Sequence, residues 1–237
     1  MLNRARAAIA SVAYVWSFRK RNGRIIPHQF SPGTNPSVLL PFGLDDQIRK
    51  FDAFWNTIFP DSKRLMTADG HWYGDNTDVR APADDELGHG GFFSMGSGSG
   101  HDLDEPVKVM LDGVFFVDGG FAGPNRLGAW EHTVFAAEAH LVCAVLAREA
   151  RQKTTSSDAL FVQVQQLTHQ TDEPRLPPPP PPRSPESSPP DLESIRKYEQ
   201  QIVGWKVIEM RKRLGDNAAI ASIDAWGNAP GPKLHRL

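Results

Sequence analysis

The sequence predicts a mainly β fold with appended helices: an antiparallel, immunoglobulin-like β-sandwich closed by a packing helix, then a proline-rich linker and a helical C-terminal tail. Three observations predict it. Residues from Ala8 to Arg19 alternate with the period of two that a half-buried strand requires. Short apolar runs are separated by Asn-Gly and Asp-Gly pairs, which favour tight turns. Ten of the twenty prolines crowd into residues 174–190, where missing backbone donors and little to bury favour an extended polyproline II connector. The divisions that follow are 1–152 for the sandwich and its closing helix, 153–173 for a helical extension, 174–190 for the linker and 191–237 for the tail.

In chain order, Ala8, Ala10, Val12, Tyr14, Trp16 and Phe18 mark one side of the first strand. Its basic flank followed by apolar residues also begins the way a cleaved leader does, but the strict alternation favours the strand. Asn22-Gly23 turns it into a second strand from Ile25 to Phe30, in which Pro27 cannot donate and so predicts an edge. Ile48, Phe51, Trp55 and Ile58 then recur at helical spacings behind Asp45 and Asp46, and Gly88 to Gly100 reads as a glycine-rich loop. Val107 to Leu111 and Val114 to Val117 predict two strands with Asp112-Gly113 between them, and Asp118-Gly119-Gly120 turns the second into Phe121. A helix over 126–152 follows, with Asn125 as its cap and Leu127, Trp130, Val134, Ala137, Leu141 and Val145 as its core face. Further helices are expected over 158–169, 191–214 and 216–226.

Composition narrows the function classes. The chain of 237 residues is 40% hydrophobic and 23% charged with a formal net charge of −2, an ordinary soluble composition with no positive field for nucleic acid or an anionic membrane. The basic cluster of Arg4, Arg6, Arg19, Lys20, Arg21 and Arg24 is expected to solubilise a hairpin, and no apolar run is long enough to span a bilayer. The single cysteine, Cys143, excludes intrachain disulfides and multi-cysteine metal sites, and without a recognisable partner it reads as an inert thiol. With no clear targeting segment, the default compartment is cytoplasmic.

Catalytic patterns fail on spacing. His89-Gly90-Gly91 with Gly96-Ser97-Gly98-Ser99-Gly100 has glycine where a nucleophile elbow needs serine, and no GK[ST] follows to make a phosphate loop. Glu131, His132, Glu138 and His140 share one helix but form neither H-E-x-x-H nor E-x-x-H, so they are expected on its solvent face. The acidic stretch 69–86 offers oxygen ligands, with Asp75, Asn76 and Asp78 its best candidates for calcium or a hydrolytic metal, but it lacks the spacing of an EF-hand.

What remains is recognition. Arg175, Pro178 and Pro181 satisfy R-x-x-P-x-x-P, while Pro178, Pro181 and Arg183 satisfy P-x-x-P-x-R, the two directions in which polyproline readers bind. In the tail, Ile195, Tyr198, Ile202 and Trp205 recur at spacings of three, four and three, a stripe that needs a partner within the chain or outside it. The sequence therefore predicts a non-enzymatic interaction module with a tethered helical tail and no cofactor. Its partner would be a protein contacted through the tail or the polyproline segment, neither nucleic acid nor membrane. The alternative is a metal-dependent protein using the 69–86 loop.

Overall fold

The computed structural model describes residues 6–19, 25–30, 65–66, 72–73, 108–153, 156–170, 175–178, 189–228 and 233–237. Strands β1 (Ile9–Arg19), β2 (Ile25–Phe30), β5 (Lys108–Phe116), β6 (Gly120–Ala122) and β7 (His235–Arg236) form one sheet in the order β2-β1-β5-β6-β7. Neighbours are antiparallel except β6 and β7, which are parallel. Strands β3 (Leu65–Met66) and β4 (Trp72–Tyr73) pair separately. Helices α1 (Ala129–Lys153), α2 (Ser157–Thr168), α3 (Leu192–Leu214) and α4 (Asp216–Trp226) complete the described elements.

This is a mixed α/β arrangement, which corrects the expectation of a mainly β, immunoglobulin-like sandwich. A sandwich needs a second sheet stacked on the first. Here a helix does that work: Ala10, Ala13, Phe115 and Phe121 of the sheet pack with Ala129 and Ala136 of α1. Phe121 and Trp130 approach to 5.6 Å between ring centroids. Ile9, Val12 and Tyr14 form a separate buried cluster with Val114 and Phe116. The predicted helix over 48–58, the Gly88–Gly100 loop and the Asn22-Gly23 turn lie outside the described residues.

Asp112-Gly113 is a bulge within one strand and not a turn between two. Ala13 opposes Gly113 while Tyr14 opposes Leu111, which leaves Asp112 as the extra residue. The bulge aims its fully buried carboxylate at the connection to α1, where it accepts hydrogen bonds from the N–H groups of Arg126 at 2.8 Å and Leu127 at 2.9 Å. Its carbonyl accepts a third from Asn125 N–H at 2.9 Å. Gly113 supplies room for a ring, since a Cβ there would stand 2.4 Å from the edge of Phe121. Asn125 does cap α1, but from four residues before its start, its Oδ1 accepting from Trp130 N–H at 2.9 Å.

The helices follow their sequence signals closely. Ser156 accepts from Ala159 N–H at the start of α2, and Asp191 accepts from Glu193 N–H at the start of α3. Arg211, Lys212 and Arg213 crowd the last turn of α3, where cations meet the negative end of the helix dipole. Ala144, Ala147, Leu160, Phe161, Val203, Val207, Ile223 and Trp226 share one core, so all four helices pack together. The tail therefore docks on its own chain. It also reaches the sheet, where His235 N–H donates to Gly119 and Leu237 N–H to Phe121 along the β6 edge.

Helix α1 presents its other side to this core. Val134 and Ala137 are half-buried and Leu141 and Val145 are exposed, whereas His132, Ala136, Ala139, His140, Cys143, Ala144 and Ala147 are buried. Small side chains let the other helices approach α1 closely. Of the predicted core face, Leu127 is buried and Trp130 and Ala137 pack on the sheet as expected, whereas Leu141 and Val145 mark an outer face, and for these two the expectation is corrected.

Candidate functional site

Two features lie along α1, one facing α3 and α4 and the other facing α2 and α3. The first is a polar seam. His132 Nδ1 and Glu199 Oε1 approach to 2.6 Å with both residues buried, and Tyr198 stands edge-on to the imidazole at 5.9 Å between centroids. Burial raises the Tyr198 phenol above its ordinary range, and the negative charge of Glu199 adds to the shift. Seven residues along α3, burial holds the Lys206 ammonium below its ordinary value while Glu199 opposes that shift. His140 Nδ1 lies 2.6 Å from the Ala136 carbonyl oxygen, and its ring stands edge-on to Trp226 at 4.8 Å. Burial, reinforced by the Lys206 charge and opposed by the Ala136 bond, lowers the His140 pKa to about 3. His132 and His140 are thus interior groups, which corrects the solvent-face expectation. Glu138 is exposed and Glu131 is half-buried.

The second feature is an open groove of about 340 Å³. Phe135, Ala139, Val142 and Cys143 of α1 form one wall, Leu167 and Thr168 of α2 another, and Arg196 and Gln200 of α3 the third. Glu138 and Arg196 meet at its rim at 3.7 Å, and the Arg196 guanidinium sits 4.4 Å from the centroid of Phe135. Val142 is 46% exposed and Leu167 is 46% exposed, so the lining faces water. Cys143 is buried against this wall, and desolvation pushes its thiol up to about 12. The α2 wall stands close to α3 because residue 204 is glycine: a Cβ there would come within 2.0 Å of Thr168 Oγ1.

The residues predicted to bind partners fall in several places. Arg175 and Pro178 are exposed, while Pro181 and Arg183 lie outside the described residues, as do Asp75, Asn76 and Asp78. Gln170 Nε2 donates to the carbonyls of both Arg175 and Gln201, which ties the start of the proline segment to α3. Tyr198, Ile202 and Trp205 are half-buried; the buried line of α3 runs instead through Ile195, Glu199, Val203 and Val207. The groove was missed from sequence, although Phe135, Ala139 and Val142 recur at spacings of four and three and were a readable signal.

Among the described residues no group of three or more His, Cys, Asp or Glu is placed to hold a metal ion. Nor is any described helix long and apolar enough to cross a membrane. No family model, no curated protein and no solved structure matches the chain.

Proposed function

We propose that this chain is a non-enzymatic protein-interaction module that receives a short apolar peptide segment in the groove between α1, α2 and α3. The observation that carries this reading is the groove itself: Phe135, Ala139, Val142 and Leu167 line it, and Glu138, Arg196 and Gln200 offer polar groups at its mouth. An apolar lining with a few polar groups around it suits recognition. Covering the exposed 46% of Val142 and of Leu167 would contribute about 1 kcal/mol each, and the rim would fix orientation. The tail takes part by building one wall. Its Val203 and Val207 are already engaged with the chain's own core and Ile195 is buried, while Tyr198, Ile202 and Trp205 keep half-exposed surface. Arg175 and Pro178, both exposed, remain available to a reader of polyproline.

Display selection of random peptides against the full chain tests the groove. Selected peptides should carry two or three apolar side chains and lose binding to Val142→Glu and to Leu167→Glu. They should retain binding to Leu111→Glu, an equally exposed apolar position on β5. Binders indifferent to both groove substitutions would overturn the reading.

A further inference from the structure

The outer face of α1 is apolar, exposed and self-complementary in charge. At 100° per residue, Val134, Glu138, Leu141, Val145 and Gln152 lie along one side of the helix, with Arg148 at its margin. Leu141 is 47% exposed and Val145 is 52% exposed, and Val142, 46% exposed, borders them. Isolated exposed leucines are ordinary, but three neighbouring aliphatic side chains on one helix form a patch that water solvates poorly.

We infer that this face pairs with the same face of a second copy of the chain, the two α1 helices running antiparallel about a two-fold axis at the level of residue 143. The positions sort themselves about that level. Leu141 and Val145 lie two residues to either side, so each Leu141 meets the other copy's Val145. Glu138 and Arg148 lie five residues to either side, so each carboxylate meets a guanidinium, twice in one dimer. A two-fold interface requires this kind of self-complementarity, and a parallel pairing would set Glu138 against Glu138. Both charged side chains have surface to offer. Glu138 is 54% exposed and only 3.7 Å from Arg196, while Arg148 is 43% exposed although its Nε and Nη2 already bond Asp224 and Asn228.

One helix face buries less than the roughly 800 Å² per partner of a standard interface, so the dimer belongs to the weak class. Sedimentation equilibrium of the full chain from about 5 to 500 μM should show reversible dimerisation, with Kd on the order of 100 μM. Leu141→Glu should leave a monomer throughout. Glu138→Arg alone and Arg148→Glu alone each create two like-charge contacts in their own dimers, and each should weaken self-association by about fivefold or more. Mixing these two variants should restore dimerisation, because the heterodimer then carries two opposite-charge pairs. A defect of folding would not be cured by mixing. A chain that stays monomeric at the highest concentration, or associates equally well as Leu141→Glu, or shows no recovery on mixing, overturns the inference. Glu138 and Val142 also line the groove, so Leu141→Glu and Arg148→Glu, which alter residues outside it, are the variants that separate loss of dimerisation from loss of peptide binding.

Discussion

His132 Nδ1 and Glu199 Oε1 lie 2.6 Å apart between α1 and α3, and neither residue is more than 8% exposed. The pair joins two helices separated by the whole proline segment in sequence. Removing one partner leaves the other buried without its bond, so Glu199→Ala is expected to cost about 3 kcal/mol. Glu199→Gln keeps an acceptor and should cost less. Urea unfolding followed by circular dichroism measures both, and an unchanged midpoint for Glu199→Ala would show that the pair holds nothing.

Acid should destabilise the chain through His140. Its pKa lies at about 3 in the folded protein, against about 6.5 for an unperturbed histidine. Because the folded value is the lower one, the unfolded chain takes up the proton first. Stability from this residue is complete above about pH 6.5 and is lost as pH falls towards 3, at up to about 1.4 kcal/mol per pH unit. His140→Gln removes this component. Its stability should decline less steeply than that of the natural chain between about pH 6.5 and 4. Equal slopes in parallel urea titrations would exclude His140 as the source.

Cys143 should be unreactive in the native state. Its thiol is buried with a pKa of about 12, so little thiolate exists at pH 8 and access is blocked as well. Ellman's reagent is expected to label the single cysteine slowly in buffer and rapidly in denaturant. Fast labelling without denaturant would show that the α1 wall of the groove opens readily.

Gly204→Ala opposes two effects of known sign. Alanine gains about 1 kcal/mol in helix propensity, but its Cβ would lie 2.4 Å from Thr168 Cβ, and Thr168 is buried. Overpacking of this kind costs about 1 to 3 kcal/mol, so the substitution should be neutral at best and usually destabilising. A clear rise in melting temperature would mean that α2 moves away from α3 freely.

Trypsin acting at Arg183 should leave two pieces that remain together. Val203, Val207, Ile223 and Trp226 on one side of the cut share a core with Ala144, Leu160 and Phe161 on the other. A peptide of residues 191–237 should be poorly helical alone, because isolated helices are marginal in water, and should gain helicity on addition of residues 1–183. Separation of the fragments on native gel filtration would contradict the shared core.

Local patterns determined what local physics controls. The alternation from Ala8 to Arg19 marked a strand at β1, but residues 9–14 are buried on both of its faces, which corrects the half-buried reading. Ser156, Asp191 and the basic last turn of α3 marked helix ends, because capping depends on residues close in sequence. Tertiary structure decided which side of each element faces inward. On α1 the interior went to Ala136, Ala139, Ala144 and Ala147 with two histidines, because close helix packing rewards small side chains and a partnered imidazole more than it rewards hydropathy. Leu141 and Val145, the strongest apolar signal on that helix, were left outside. Asp112-Gly113 carried the chemistry of a turn, yet became a bulge once β1 lay beside it and the carboxylate found two N–H donors fourteen and fifteen residues away. The groove exists only because α2 and α3, on opposite sides of the proline segment, close on the same helix, and no spacing within either one encodes that meeting.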